Sequence, residues 1–275
     1  MFTYLKRKFE KYKVKTTFKE YGHEVVDYDL PELGKVSFAR WLNPLEAEKH
    51  ISQNQVNFFK KILKKGDFVI DIGAHIGDST IPMALAVGKE GTVLGFDPNP
   101  YVFKILEKNA SLNKTLTNII PLNFAITTHE GDFFYNSSEA TYNNGGISES
   151  QQNKHGKYAL ADKVHGVNLE RYLNELYPEV LPNLTLIKVD TEGYDTEILK
   201  SILPFIKKHR PNLIFECFPK LSKTERFFLY DLIADLGYDL FYIGGFDDKA
   251  AKEHITRDNM LNWKHFDILA IPQKQ

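Results

Sequence analysis

The chain has 275 residues, 43% of them hydrophobic and 26% charged, a balance that excludes a disordered or fibrous protein. The formal net charge of −1 excludes a globally basic surface, so we expect no nucleic-acid partner. One cysteine, Cys217, excludes an internal disulfide and a cysteine-based zinc site, and no apolar run suits a membrane span or a secretory signal. We expect a cytoplasmic protein.

The first 45 residues are predicted to form a basic N-terminal extension, followed by the main domain at 46–275. Residues 1–20 contain seven lysines and arginines against two glutamates, and apolar side chains from Phe2 to Tyr12 are spaced like one helical face. Such a segment either docks on the domain as a solvated helix or rests on an anionic membrane. Peripheral membrane contact through residues 1–20 is therefore one expectation.

The first functional motif spans residues 68–99. An apolar strand runs into the glycine turn GAHIG at 73–77, a helix follows, and the next apolar strand ends in Asp97. Glycine lets the backbone turn tightly and approach a ligand, and Asp78 or Ser79 can cap the helix. A carboxylate at the tip of the second strand can accept hydrogen bonds from both hydroxyls of a ribose. The motif therefore predicts a cofactor that contains adenosine.

Two such cofactors fit the turn. NAD needs a small glycine where the backbone meets its pyrophosphate, but His75 occupies that place. S-adenosylmethionine has a ribose and no phosphate, so it tolerates a side chain there, and Asp71 could face its amino acid tail. The sequence favours S-adenosylmethionine and keeps NAD as the alternative. The predicted cofactor-binding residues are Asp71, Gly73, Ala74, His75, Gly77, Ser79, Thr80, Asp97, Pro98, Asn99 and Asp190.

Apolar runs alternate with helical stretches along the main domain. Strands are predicted near 68–72, 92–97, 118–124, 184–190, 212–217, 238–243 and 266–271, and helices near 78–88, 99–112, 168–177, 193–203 and 222–236. This alternation predicts an α/β fold with a doubly wound, mostly parallel sheet of seven strands.

A polar, glycine-rich stretch at 127–167 interrupts this pattern and is too long for a simple connection. We expect a short hairpin around 132–135 and then a loop over the site. Gly145, Gly146 and His155 are predicted to face the substrate.

The second functional motif, LTLIKVDTEGYDTEIL, spans residues 184–199. Its buried run ends in Asp190, and a helix starts after Glu192. Helix capping alone would explain these two acids. It does not explain Glu216, which follows another apolar strand and could pair with a basic residue or face the substrate. Ligands of open α/β sheets bind outside the carboxyl ends of the strands. The acids expected to converge there are Asp71, Asp97, Asp190 and Glu216.

Together, VIDIGAHIGDST, GFDPNP and LIKVDTEGYDTEIL resemble the motifs of the FkbM family of S-adenosylmethionine-dependent methyltransferases. The resemblance covers roughly residues 50–245, with the DxEG-type motif at 190–193 and the acid-Pro-Asn-Pro motif at 97–100. His75 and Asp97 replace residues that are more usual in the family. The resemblance implies a Rossmann-like sheet with an antiparallel final strand. It also implies methylation of hydroxyls on sugars of glycans or glycolipids, or on macrolide natural products.

Methyl transfer to an alcohol needs an in-line approach and a base that takes the proton. Asp190 is the first candidate for that base or for orienting the acceptor, and Glu192 and His75 are the other predicted catalytic residues. Because a solvated aspartate is too weak a base, burial or a neighbouring like charge must raise its pKa, or an imidazole, His75 or His155, must serve instead. The acids could also hold a divalent cation.

Two other classes of function stay open at this stage. One is a non-catalytic subunit that binds the cofactor, and the other is an NAD-dependent oxidoreductase. For the enzyme, the expected partner is a small-molecule or glycan substrate.

Overall fold

The computed structural model describes residues 12–150 and 156–274. In chain order its elements are β1 (His23–Leu30), β2 (Gly34–Trp41), α1 (Gln53–Lys60), β3 (Phe68–Ile72), α2 (Thr80–Val87), β4 (Thr92–Phe96), α3 (Pro100–Ser111), β5 (Ile119–Leu122), β6 (Ala125–Ile126), β7 (Gly131–Ser137), β8 (Gly146–Ser148), β9 (Tyr158–Ala159), β10 (Val164–Val167), α4 (Leu169–Leu176), β11 (Leu184–Val189), α5 (Asp195–Ser201), α6 (Leu203–His209), β12 (Asn212–Cys217), α7 (Lys223–Ala234), β13 (Tyr238–Ile243), β14 (Lys252–His254) and β15 (Phe266–Pro272).

The main sheet has the strand order β14-β13-β15-β12-β11-β3-β4-β5. Neighbouring strands from β12 to β5 are parallel, whereas β15 is antiparallel to both β12 and β13. The predicted Rossmann-like, doubly wound sheet with an antiparallel final strand is confirmed. An eighth, exposed edge strand, β14, joins the seven that were predicted.

Strand β3 is buried on both faces, as its continuous apolar run predicts. Because side chains alternate along a strand, Phe68 and Ile70 enter one hydrophobic cluster and Val69 enters the cluster on the opposite face. The predicted helix at 193–203 is instead two helices, α5 and α6. Pro204 in the first turn of α6 lacks the N–H needed to continue the α5 ladder.

The polar stretch after β6 folds into a second small sheet, with the order β6-β10-β7-β8 and with β9 also paired to β7. We call residues 125–150 and 156–167 the lobe. The predicted hairpin strand is present as β7, and the stretch predicted as a loop over the site contains two short strands, β8 and β9, that pair with it. Phe133, Tyr135 and Tyr142 form a small apolar cluster of their own, which makes this pairing stable.

The β1–β2 hairpin lies within the predicted N-terminal extension and packs against the main domain. Val36 and Phe38 are buried in the same cluster as α1, and the Asn109 amide of α3 bonds to both backbone groups of Ala39. Preceding the hairpin, Lys15 pairs with Glu139 of the lobe at 2.9 Å.

The apolar face predicted between Phe2 and Tyr12 lies almost entirely outside the described residues. In the part of the chain that the structure describes, no helix is both long and apolar enough to cross a membrane.

Candidate functional site

A cavity of about 350 Å³ opens at the carboxyl ends of β3, β4 and β11, a size typical of small-molecule sites. The predicted site residues in its wall are Gly73, His75, Ser79, Asp97, Pro98, Asn99, Gly145, Gly146, Asp190 and Glu192. The predicted residues buried behind that wall or farther along the sheet are Asp71, Ala74, Gly77, Thr80 and Glu216. The predicted His155 lies outside the described residues.

The glycine turn brings two strand ends into backbone contact. Gly73 has φ +77°, and a Cβ at this position would lie 1.8 Å from the Asp190 carbonyl oxygen. No side chain fits there. His75 also has a left-handed backbone, with φ +48°, which is uncommon for a residue other than glycine. This conformation directs its N–H to Asp97 Oδ2, at 2.9 Å.

Asp97 is only 7% exposed, and backbone N–H groups hold both of its carboxylate oxygens. His75 donates to Oδ2 and Asn99 donates to Oδ1, each at 2.9 Å. Burial raises the pKa of Asp97, while His75 acts in the opposite direction. Because each carboxylate oxygen keeps a further lone pair, Asp97 can still accept hydrogen bonds from two adjacent hydroxyls.

Asp71 is fully buried behind the cavity wall and binds side chains at the start of α2. The hydroxyls of Ser79 and Thr80 donate to its Oδ2 at 3.1 and 2.6 Å. The predicted helix cap is therefore wrong for Ser79, which makes no capping bond, because its hydroxyl donates to the fully buried Asp71 carboxylate instead. Asp78 makes no cap either and pairs with Lys49 at 2.9 Å.

Lys188 is a residue of the cavity wall that sequence reasoning missed. Its side chain is 3% exposed, and Nζ lies 3.3 Å from Asp71 Oδ1 and 3.2 Å from Asp190 Oδ2. Burial lowers the pKa of Lys188, but the charges of Asp190 and Asp71 outweigh it, so the pKa is raised. The ammonium thus stays charged and fixes Asp190 relative to the floor of the cavity. The signal available in the sequence was a lysine within an apolar run that predicts a buried strand.

The turn after β11 is stabilised by Asp195, which sequence reasoning also missed. Its Oδ2 accepts from the backbone N–H and the hydroxyl of Thr191, at 3.2 and 3.1 Å. Burial, followed by the charge of Asp190, raises the pKa of Asp195 to about 7. These bonds leave Asp190 half-exposed in the cavity wall and hold Glu192 at a left-handed φ of +55°.

Hydrogen bonds hold the lobe over the cavity. Asn99 Nδ2 donates to the Tyr142 carbonyl at 2.6 Å, and His75 Nε2 lies 3.2 Å from the Asn143 carbonyl oxygen. The segment 143–147 lines the cavity. The prediction that Gly145 and Gly146 lie over the site therefore agrees with their position, although their role toward a substrate stays a prediction.

Glu216 lies beyond Asp190 along the sheet and is 6% exposed. Its Oε1 is hydrogen-bonded to His265 Nε2. Burial, followed by the charges of Asp190 and Asp195, raises the pKa of Glu216 to about 9. Within residues 12–150 and 156–274, no group of three or more His, Cys, Asp or Glu side chains is arranged to hold a metal ion, so the expected divalent cation has no support.

Comparison with known proteins gives the family. The profile of the FkbM methyltransferase domain matches residues 71–240. The chain is 27% identical over 161 residues to methyltransferase sdnD of Sordaria araneosa, covering 51% of this chain and 62% of sdnD. It is 22% identical over 150 residues to the hexuronic acid methyltransferase AglP of Haloferax volcanii, covering 54% of this chain and 56% of AglP.

Both matches thus span less than two thirds of the relative's own length. A solved structure of methyltransferase FkbM from Methylobacillus flagellatus KT is 14% identical, with a TM-score of 0.45, covering 75% of this chain and 44% of that chain. Because the family match spans more than half of the chain, and includes residues 71–99 of the first functional motif and all of the second, the protein belongs to the FkbM family of S-adenosylmethionine-dependent methyltransferases.

Proposed function

We propose that the protein transfers a methyl group from S-adenosylmethionine to a hydroxyl of a sugar, a glycan, a glycolipid or a related natural product. The observation that carries this proposal is that Asp97 and Asp190, at the ends of β4 and β11, share the wall of one cavity. Asp97 suits the ribose hydroxyls of the cofactor, and Asp190 suits the hydroxyl of the acceptor. The name of the relative AglP, a hexuronic acid methyltransferase, supports a sugar acceptor.

The residues present fit S-adenosylmethionine. Asp97 would accept hydrogen bonds from the ribose hydroxyls, and Phe124 and Ile126 offer apolar surface in the same cavity to a purine ring. The turn at 73–77 would receive the amino acid tail. When bound, the cofactor supplies a methyl group on a positively charged sulfur. The family assignment favours this donor over NAD.

The protein's own groups then act on the acceptor. Asp190 would accept a hydrogen bond from the acceptor hydroxyl and orient its oxygen, while Lys188 holds the carboxylate in place. Asn143 and Gly145, in the cavity wall contributed by the lobe, would exclude water from the reacting atoms.

The test is a methyl-transfer assay with S-adenosylmethionine that carries a deuterated methyl group. Candidate acceptors are neutral hexosides, amino sugars, hexuronosides and macrolides, and products are identified by mass spectrometry. We expect a labelled product that survives mild alkali, as an ether does and an ester does not. A product that alkali hydrolyses would contradict transfer to a hydroxyl.

Asp190→Asn keeps the size of the side chain and removes its charge. We expect turnover to fall roughly 10²- to 10⁴-fold, the usual range for groups that handle the proton or its donor, with cofactor affinity nearly unchanged. The matched control is Asp29→Asn, at an exposed position of β1. If the wild-type protein binds the cofactor but labels no acceptor, the alternative of a non-catalytic subunit is favoured.

A further inference from the structure

The loop after β2 adds side chains to the cavity wall beside the glycine turn. Glu46 and Lys49, from this loop, line the cavity together with His75. Asn143 lines the same region from the lobe, since His75 Nε2 lies 3.2 Å from the Asn143 carbonyl oxygen and 3.9 Å from Glu46 Oε2. The turn that is proposed to receive the amino acid tail is thus flanked by polar side chains from two other parts of the chain.

Asn143 carries a buried polar atom that the structure leaves without a partner. The residue is 6% exposed, and its Oδ1 has no hydrogen-bond donor among the described residues. His75 Nε2 and Asn99 Nδ2 contact the carbonyl oxygens of Asn143 and Tyr142, so the backbone that carries this side chain is fixed. Leaving a buried acceptor unsatisfied is unfavourable. Its place in the cavity wall therefore indicates a ligand that donates a hydrogen bond.

Glu46 is a second acceptor without a close donor. Its side chain is 8% exposed, and the basic nitrogens within 4.0 Å of its carboxylate are His75 Nε2 at 3.9 Å and Lys49 Nζ at 4.0 Å. Both distances are too long for a hydrogen bond, and the residues at 12–150 and 156–274 offer this carboxylate no closer donor. Because burying a charge is costly unless it is paired and hydrogen-bonded, a positively charged donor from a ligand would stabilise Glu46.

Lys49 supplies the opposite charge. Its Nζ pairs with Asp78 at 2.9 Å, which uses one of the three N–H donors of an ammonium group. The charge of Asp78 is also the main cause that raises the pKa of Lys49, so the ammonium stays charged. Since the side chain is 36% exposed and lines the cavity, its other donors are available to a carboxylate that enters there.

We propose that Glu46, Lys49 and Asn143 recognise the amino acid tail of S-adenosylmethionine. Glu46 and the Asn143 amide oxygen accept hydrogen bonds from the ammonium group of the tail, and Lys49 binds its carboxylate. This inference rests on the cofactor of the proposed function and not on the acceptor. A zwitterionic amino acid group presents a positively charged donor and a negatively charged acceptor, and the wall beside His75 offers a partner of opposite charge to each.

The experiment measures calorimetric affinity for three ligands. These are S-adenosylhomocysteine, which is the demethylated cofactor, its decarboxylated form, and 5′-methylthioadenosine, which lacks the whole tail. Glu46→Gln should weaken binding of the first two about 10- to 100-fold, as expected for a hydrogen bond between charged groups, and change the affinity for 5′-methylthioadenosine by less than about twofold. Asn143→Ala should show the same pattern with a loss of roughly 3- to 10-fold. Glu48→Gln, at an exposed position of the same loop, is the matched control.

Lys49→Met tests the carboxylate contact. In the wild-type protein, the decarboxylated ligand should bind at least about fivefold more weakly than S-adenosylhomocysteine, whereas Lys49→Met should bind the two with affinities within about twofold. Thermal unfolding followed by circular dichroism checks that each variant is folded.

Equal losses for S-adenosylhomocysteine and 5′-methylthioadenosine in Glu46→Gln or Asn143→Ala, or no loss for either ligand, would overturn this inference alone. So would a wild-type protein that does not distinguish the decarboxylated ligand. No acceptor is used, so these results are independent of transfer to a sugar hydroxyl. A wild-type protein that binds none of the three ligands would contradict the cofactor of the proposed function and this inference with it.

Discussion

Asp97 is the residue on which cofactor binding is expected to depend most directly. Because it is the acid at the tip of β4 in the cavity wall, Asp97→Ala should weaken binding of the demethylated cofactor by about 1.5–3 kcal/mol, the range for a hydrogen bond to a charged group. Isothermal titration calorimetry measures this loss of affinity for the demethylated cofactor. Asp29→Ala is the control, and unchanged affinity in a folded Asp97→Ala protein would contradict the ribose assignment.

Lys188 is expected to matter for stability as well as for the site. Removing one partner of a buried ion pair leaves an uncompensated charge, so Lys188→Met should lower the free energy of unfolding by about 3–5 kcal/mol. Adding Asp71→Asn should restore part of that loss, which urea denaturation of the single and double variants would reveal. Strictly additive losses would show that the two groups are not coupled. Lys35→Met, in the exposed pair with Asp27, should have a much smaller effect.

The sequence predicted residues such as Asp97 and Asp190 because each follows a short apolar strand, and strand tips in a parallel sheet share one edge. It did not predict Lys188 or Asp195. Their importance depends on the register of β11 with β3 and on the turn geometry after β11, and neither can be read from spacing along one segment. The roles of the predicted site residues in binding and catalysis stay predictions.

At the scale of elements, the neighbouring ends of β12 and β15 carry two acids, Glu216 and Asp267, whose pKa values are raised, chiefly by burial. The pKa of Glu216 is raised from 4.5 to about 9, so its folded form keeps a proton that the unfolded chain has lost. Its contribution to stability is therefore full below about pH 4.5 and is lost as pH rises toward 9. The free energy of unfolding should fall with pH across this window, by at most about 1.4 kcal/mol per pH unit for one proton.

Glu216→Gln should flatten that fall, most clearly between pH 7 and 9, where Asp195, with its pKa of about 7, has already lost its proton. Urea denaturation at several pH values measures the effect. Glu253→Gln, on the exposed strand β14, serves as the control. An identical slope in wild type and Glu216→Gln would contradict the raised pKa.

The lobe offers a matched pair of glycines. A Cβ at Gly145 would lie 2.6 Å from the Asn136 carbonyl oxygen and from the Tyr135 ring, whereas a Cβ at Gly146 would meet nothing within 4 Å. Gly145→Ala should therefore disturb the β7–β8 pairing, at a cost of about 1–3 kcal/mol, and weaken ligand binding. Gly146→Ala should leave this pairing intact.

Hydrogen exchange at 136–150 measures the change. Wild-type protein should gain protection there when the demethylated cofactor and an acceptor bind, and Gly145→Ala should gain less. Absence of any added protection in the wild-type protein would contradict a covering role for the lobe.

The lobe was the part of the fold that the sequence predicted least well. Strands β8, β9 and β10 have two to four residues each, too few for an alternating pattern, and they form through pairing with β7 rather than through local preference. The main sheet was predictable because most of its strands are largely apolar runs of four to seven residues, and helices separate most of them along the chain. The alternation of strands and helices along the chain is enough to predict the topology of the main sheet.

On the scale of the whole molecule, residues 1–20 are proposed to give weak, salt-sensitive attachment to anionic membranes. Each basic residue near such a surface contributes about 1 kcal/mol, screened beyond roughly 10 Å at 0.1 M salt. Replacing Lys6, Arg7, Lys8 and Lys11 by Gln should abolish sedimentation with phosphatidylserine vesicles at low salt and leave methylation of a soluble acceptor intact. This variant keeps Lys15 and its ion pair with the lobe. Equal sedimentation of both proteins, or none at low salt, would leave the segment without a membrane role.

The absence of space for a side chain at Gly73 bears on how this protein could be re-engineered. The backbones that follow β3 and β11 touch there. Main-chain packing therefore sets the distance between Asp190 and the turn at 73–77, where the methyl donor is proposed to bind. Tyr194, at the far end of the turn after β11, and Phe246, in the loop after β13, also line the cavity but lie outside that contact. For the proposed methyl transfer, we therefore expect substitutions at those two positions to change acceptor preference without altering the backbone contact between Gly73 and Asp190.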